Sequence, residues 1–475
     1  MRSDATLPIP GERRSWWLRE AMAAEGETPG APGLAGDERA DVVVVGGGYT
    51  GMWAAYFLTE RLPDARVVLL EQDICGGGPS GRNGGFVHGW WESVPYLVDR
   101  YGAEAAIAIA READEVVDGI GAWCARHEVD AWYAKAGYVR VNAFPSVAHD
   151  WDGTVARLRA LGQGEQLAPI EPDAVQRVCA SPAFRDGLLM PSAASIQPAR
   201  LARGLRRVLL ERGVVIHETT RVRSLRGDGP VRVTTDRGRL TAEQAVLAVN
   251  AWASGWPGFR SRVLAWGSYM VITEPIPDRL AELGWTGGEL LSDSRFTISY
   301  FRTTPDGRIA FGAGVGAAGY AGRIGRTFTH DGTAVARVVA NFRHLLPMLH
   351  DARLEDAWGG PIDITGHRFP EIGSSHGGRV HFAHGFAGNG AGPSRLAGRV
   401  LAALVDGRPD PVARLAFVGR RQPLMPPEPL RFIGARLVRE ALIREDDALD
   451  AGRRPSLLLR AVARLPRLLG YKLGH

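Results

Sequence analysis

Residues 40–87 read "ADVVVVGGGYTGMWAAYFLTERLPDARVVLLEQDICGGGPSGRNGGFV", and this stretch decides the fold. The four valines at 42–45 predict a buried strand, residues 49–62 a helix and 66–70 a second parallel strand, which together make a βαβ unit. Gly46, Gly48 and Gly51 sit at the turn between strand and helix. The first permits the tight turn, the second lets backbone approach a pyrophosphate, and the third lets the helix pack on the strand. Glu71, with Gln72 beside it, follows Gly51 by 20 residues at the end of the second strand, where a carboxylate accepts ribose hydroxyls. A helix N-terminus that attracts phosphate completes the signature of a dinucleotide site. Spacing alone does not choose between FAD and NAD.

The remaining sequence bounds the problem. At 475 residues with 45% hydrophobic and 23% charged residues, the chain predicts two soluble domains with appendages and no transmembrane segment. Only Lys135 and Lys472 are lysines, so the net charge of +5 is carried by arginine, and it is too modest to point to a nucleic-acid partner. Cys75, Cys124 and Cys179 form no CxxC pair, which speaks against a zinc site or disulfide framework and fits a reducing, cytoplasmic setting. The N-terminal residues lack the apolar run of a signal peptide. His381 and His384 resemble a metal pair, but their odd spacing on a strand sends them to opposite faces, so no metal is expected.

Beyond the βαβ unit, a Gly, Pro and Ala-rich segment at 23–40 reads as a mobile connector between a docked Trp16-Trp17 segment and the first strand. Residues 101–127 repeat apolar positions at helical spacing, and helices are also expected near 198–211, 332–346 and 393–404. Short alternating or apolar bursts such as "GVVIHE", "YMVITEP", "TISYF" and "RVHFAHG" predict strands. No second strand, GxGxxG turn and helix appears. Gly312, Gly314 and Gly316 lack the βαβ context and read as a loop, so a separate nicotinamide site is not expected.

"GGGPSGRNGG", 76–85, supplies a flexible, donor-rich loop directly after the second strand. "HGFAGNGAGPSRLAGRVLAALV", 384–405, is a second glycine turn opening a helix whose positive end suits the N1–C2=O edge of a reduced flavin. Together with "DVVVVGGGYTG", "HETTRV", "LAVNAWAS" and "GGPIDITGHRFPEIG", these segments resemble, in order, the motifs of the D-amino-acid-oxidase-like flavoenzymes. "SGRNGG" and "GGPIDIT..R.P..G" resemble the gamma-glutamylputrescine oxidase branch. The resemblance implies an α/β protein in which a Rossmann-like FAD-binding domain (41–95, 196–266, 365–405) is interleaved with a mixed-sheet α+β substrate domain (96–195, 267–364). An N-terminal extension (1–40) and a helical, basic C-terminal extension (406–475) flank them. It places Glu71 at the adenosine ribose, counts Gln72 among the cofactor-binding residues, and brings the backbone of Val222 to the adenine. Ser80, Arg82, Asn83, Gly84 and Gly85 would lie along the flavin. Gly388, Asn389 and Gly390 would close over the isoalloxazine, with Asn389 where the family often has histidine.

With FAD as the cofactor and no nicotinamide site, the implied reaction is hydride transfer from a small amine to flavin N5, giving an imine that hydrolyses to an aldehyde. Relatives clamp a substrate carboxylate with an arginine where this chain has Gly360, or with a lysine where it has Gly392. A lysine that speeds oxygen reduction has no evident counterpart, because Lys135 falls on a strand and Lys472 in the tail. The acceptor is therefore oxygen or a quinone. His88, with Trp90 and Trp91 after it, follows the flavin loop, and aromatic faces suit an alkylammonium. Tyr300, Arg302 and Arg368 are the polar candidates for substrate contact. Two other readings stay open: an FAD dehydrogenase of an amino acid or 2-hydroxy acid feeding a quinone, and a non-enzymatic flavoprotein partner or sensor. In the tail, "PEPLRFIGARLVREALIRE" and "SLLLRAVARLPRLLGYKL" are basic and amphipathic. They pack on the body or lie on an anionic membrane.

Overall fold

Strand Gly36–Val45 starts six residues ahead of the valines, in the segment read as a connector, and lies third among five parallel strands. Their order is Val380–His384, Gly238–Leu247, Gly36–Val45, Val67–Leu70 and Val215–His217. The structure, a computed structural model, describes residues 14–26, 30–143 and 151–472. Val42 to Val45 are buried because both faces of the parallel sheet are covered, Val42 and Val44 by helices and Val43 and Val45 by strand Val231–Thr235 and residues 253–263, which is why the run does not alternate. Strand Glu371–Ser375 closes one edge antiparallel to Val380–His384, and strands Val222–Arg226 and Val231–Thr235 extend Gly238–Leu247 as a meander.

Helix Tyr49–Arg61 packs against the predicted helices Pro198–Glu211 and Pro393–Asp406. At Gly398 a Cβ would stand 2.5 Å from the Cβ of Trp53, so the second glycine-opened helix crosses the first at a distance only glycine allows. The connector is held rather than loose where it is described. Ala31 N and Leu34 N donate to Glu218 and Thr220, and helix Trp16–Glu25 ahead of it docks on Pro198–Glu211. Glu218 also takes Arg206 and the amide of Cys75, so the glutamate of "HETTRV" ties three segments together.

The second sheet has eight strands, in the order Leu354–Ile364, Leu264–Thr273, Ile309–Ala313, Ser299–Thr303, Leu290–Asp293, Tyr138–Val141, Gly187–Met190 and Ala168–Ile170. It is mixed: Leu290–Asp293 runs parallel to Tyr138–Val141 and the other pairs are antiparallel. Gly312 belongs to a strand here. Gly316 lies against Gly267, where a Cβ would approach the Gly267 carbonyl oxygen to 2.3 Å, so the glycine run serves strand packing as well as a loop.

Two helices follow the body, Leu430–Asp450 and Leu457–Leu468. The first is anchored by polar contacts: buried Asp446 accepts from the amides of Phe296 and Thr297 and from the Thr297 hydroxyl, and Asp450 pairs with Arg295. Among the described residues no helix is long and apolar enough to cross a membrane.

Candidate active site

One continuous cavity of about 1580 Å³ runs between the two sheets. Its walls include Gly46, Gly48, Glu71, Gln72, Ser80, Arg82, Asn83, Gly84, Val222, Gly388, Asn389 and Gly390, so the fold gathers nearly every cofactor residue expected from sequence around one space. Gly51 lies behind it as a packing glycine, where a Cβ would stand 1.9 Å from the Gly46 carbonyl oxygen. Gly46 takes φ +113° at the turn, and its Cβ would meet the Ala248 carbonyl oxygen at 2.3 Å. At Gly48 only the Ser80 hydroxyl comes near, so backbone is open to the cavity at the mouth of helix Tyr49–Arg61.

The Glu71 carboxylate accepts from Gly47 N (2.7 Å) and Asp73 N (2.9 Å), leaving lone pairs for further donors. Burial pushes its pKa up to about 7, against the pull of those two amides. Within the glycine loop, Asn83 donates to the Pro79 and Ser80 carbonyls and accepts from Gly85 N, while the Ser80 hydroxyl accepts from Tyr49 N. Gly85 is turned from the cavity with φ +76°; a Cβ there would stand 2.1 Å from the Ile196 carbonyl oxygen. Arg82 lines the wall yet spends its guanidinium on the carbonyls of Gly77 and Gly359, bracing the loop against strand Leu354–Ile364.

The opposite turn is held by a residue that sequence reasoning did not single out. Asp363, in the quoted "GGPIDIT", accepts from the amides of Gly385 (2.5 Å) and Phe386 (3.1 Å), and burial raises its pKa to about 6. Its own carbonyl takes Ala387 N, so Gly388 to Gly390 are presented to the cavity ahead of helix Pro393–Asp406. Asn389 Oδ1, and Oδ1 of Asn250 from "LAVNAWAS", are buried in the wall with no hydrogen-bond partner among the described residues. Two helix N-termini, a ribose-type carboxylate with spare lone pairs and unpartnered amide oxygens in one cavity fit FAD.

The substrate candidates separate. His88 lines the cavity, its ring 5.4 Å from Tyr138 and its Nδ1 3.1 Å from the Gly89 carbonyl oxygen. A carbonyl can only accept, so Nδ1 carries the proton and Nε2 keeps its lone pair. Burial draws the imidazole below its ordinary pKa and keeps it neutral. Tyr300 also faces the cavity, 2.9 Å from the Ser268 hydroxyl, which bonds the Ala313 carbonyl. Trp90 and Trp266 are wall residues, whereas Trp91 is buried in a core cluster. Arg302 is not in the wall: it is 1% exposed and donates to the carbonyls of Gly84, Ile196 and Thr303, with Trp17 stacked on it. It supports the glycine loop 76–85 from behind. Arg368 is in the wall.

Two further wall residues come from unexpected places. Tyr138 arrives on a strand of the second sheet and hydrogen-bonds Ser292. Lys472, assigned from sequence to the tail away from the site, reaches the cavity because Tyr471 and Lys472 fold back onto Gly366. The missing cation at Gly392 also has a physical reason, since a Cβ there would press on the His88 carbonyl oxygen and Val116, both at 3.1 Å.

The chain belongs to the family of FAD-dependent oxidoreductases (DAO), whose profile matches residues 41–404. It is similar to the gamma-glutamylputrescine oxidoreductase of Escherichia coli (strain K12), with 29% identity over 378 residues, 77% of this chain and 84% of the relative. Among solved structures it resembles glycine oxidase from Geobacillus kaustophilus (TM-score 0.64, 19% identity, 81% of this chain and 100% of that one). It also resembles L-proline dehydrogenase from P. horikoshii (TM-score 0.64, 20% identity, 80% and 96%). The two structural likenesses speak for the fold. The chain is an FAD-dependent oxidoreductase, and FAD is its cofactor.

Proposed function

We propose that this enzyme oxidises the C–N bond of a small amine, with a substrate akin to a gamma-glutamylated diamine. The observation that carries the reading is the pairing of aromatic faces in the cavity wall with closed clamp positions. His88, Trp90, Tyr138, Trp266 and Tyr300 line the space, while Gly360 lies against Arg82 and Gly392 against the His88 backbone. An α-carboxylate beside the reacting carbon would lose its usual cation, a penalty of several kcal/mol for an unpaired buried ion. An alkylamine avoids it. Bound FAD supplies the acceptor for the hydride leaving the carbon next to nitrogen. The protein's part is to hold the amine against the aromatic faces and keep it neutral. His88 Nε2, with Nδ1 held by Gly89, takes the proton an alkylammonium sheds. The imine then adds water to give aldehyde and free amine or ammonia. Anaerobic bleaching of the flavin across alkylamines, polyamines, N-methyl and D-amino acids and 2-hydroxy acids tests this. A 2-hydroxy acid or small amino acid as best reductant would replace it with the dehydrogenase reading.

We infer further that the acceptor is a quinone met at a membrane surface. Leu457, Leu458 and Leu468 on the last helix are 77%, 75% and 80% exposed, with Arg453, Arg454, Arg464 and Arg467 exposed among them. Leu465 and Leu469 are exposed and also border the cavity, so the apolar, basic helix adjoins it.

A further inference from the structure

Arg368 occupies the left-handed region at φ +53°, unusual for a residue with a Cβ, and its guanidinium makes no hydrogen bond or ion pair among the described residues. Lys472 lies in the wall of the same cavity with Nζ 5.4 Å over the Tyr96 ring and, among the described residues, no carboxylate bonded to it. The tail is placed by backbone: Lys472 N donates to the Gly366 carbonyl (2.9 Å), and the Tyr471 hydroxyl to the Leu424 carbonyl (2.8 Å). Gly366 is two residues from Arg368, so the docking that fixes the tail places Lys472 by the loop that carries Arg368, within reach of its charge. Around them, the Tyr96 hydroxyl and His367 Nδ1 are buried without partners. Glu92, the acid whose charge acts on Lys472, is bonded to Arg140 at 2.9 Å. Burial first, and then the Arg368 charge, lowers the Lys472 pKa to about 8, while burial lowers that of Arg368.

Two like charges in one cavity wall, with no acid bonded to either among the described residues, are an electrostatic cost in the free protein that a bound oxyanion would remove. We propose that Arg368 and Lys472 form a two-cation site for a carboxylate of the substrate, remote from the oxidised C–N bond, with the C-terminal tail supplying half of it. The proposal rests on the amine-oxidising reading for its substrate. On that reading the carboxylate is not on the oxidised carbon, as in a gamma-glutamylated diamine. A guanidinium contributes planar bidentate contact and an ammonium a point charge, a combination that holds one carboxylate from two sides. The family match ends at residue 404, so Lys472 lies outside the matched region.

The test uses the full-length, FAD-loaded protein and glutarate, which carries carboxylates but no oxidisable amine, with binding followed by calorimetry and flavin absorbance. Glutarate is expected to bind. Lys472→Gln and Arg368→Gln should each weaken it by about tenfold, the loss expected for one charge-assisted contact. Lys472→Arg should restore most of it, and FAD content and Tm of each variant control for folding. Affinity should fall as pH rises through about 8, where Lys472 loses its proton in the presence of Arg368, Glu92, His367 and Tyr96. In turnover, Lys472→Gln should raise the ratio of KM for a gamma-glutamylated diamine to KM for butylamine. No glutarate binding, or affinities and KM ratios unmoved by both substitutions, would overturn the site even if alkylamines bleach the flavin. Glutarate affinity that depends on both residues, with no amine able to bleach the flavin, would instead sink the amine reading and leave the anion site standing.

Discussion

Arg302 Nε donates to the carbonyl oxygen of Gly84 at 2.8 Å, joining positions 218 residues apart in the chain. With its other nitrogens on Ile196 and Thr303, the guanidinium fastens the flavin loop to the strand that carries Tyr300. Arg302→Met leaves three carbonyls without their donor, a loss of about 2–4 kcal/mol. We expect a lower Tm and weaker FAD retention, with unchanged KM in the fraction that keeps flavin. A raised KM at full FAD occupancy would return Arg302 to the substrate site.

The second prediction concerns Glu71 and pH. Its folded pKa, raised to about 7, lies above its ordinary value, so the free carboxyl favours folding at low pH and that contribution is lost as pH rises through 7. Ribose hydroxyls donate to the ionised form, so FAD should bind better as pH rises, with affinity falling by up to about tenfold per unit below 7. Glu71→Gln should bind FAD more weakly and flatten that dependence. Titration of apoprotein with FAD between pH 5.5 and 8.5 decides it; a slope of opposite sign would show that the carboxyl is not the hydroxyl acceptor.

The βαβ unit, its three glycines, Glu71 and the second glycine turn were legible because each is demanded by local geometry: a tight turn, a close crossing, a strand-end carboxylate. Arg302 was not, because an arginine that satisfies backbone carbonyls and one that binds substrate look alike until the chain is folded. Asp363 and Glu218 lay inside quoted motifs, but their work is to bond amides of distant segments, and that pairing has no sequence period. Lys472 was misplaced for a related reason. A tail after two amphipathic helices has no register of its own, and only its contact with Gly366 brings it to the cavity. The first strand was read short because Gly36 to Ala40 pair with Gly238 to Ala242 without the apolar run that marks the rest.

The third prediction follows from the exposed leucines of the last helix, of which Leu465 borders the cavity. The protein should co-sediment with vesicles of anionic lipid more than with neutral ones. Leu457→Ser with Leu468→Ser should abolish this while leaving the FAD spectrum unchanged. Reduced flavin should reoxidise faster with a short-chain quinone than with oxygen in stopped flow. Rapid peroxide formation that slows in Lys472→Met would show instead that the tail lysine serves oxygen.

The last prediction isolates the proton. An alkylamine in solution at pH 7 is protonated and has no lone pair to drive hydride loss, so some group must take its proton on binding. His88 is the wall residue equipped for this, half-buried and neutral with Nδ1–H held by Gly89 and Nε2 free to accept. His88→Ala should slow anaerobic flavin reduction by about 10²-fold at pH 7, at the low end of what a positioned base contributes. Near pH 9.5, where more of the free amine is already neutral, the deficit should shrink to a few-fold. His88→Gln, which fills the space without an equivalent base, should behave like the alanine variant. If the deficit is the same at both pH values, His88 shapes the cavity rather than taking the proton, and Tyr300, beside Ser268, becomes the group to test next.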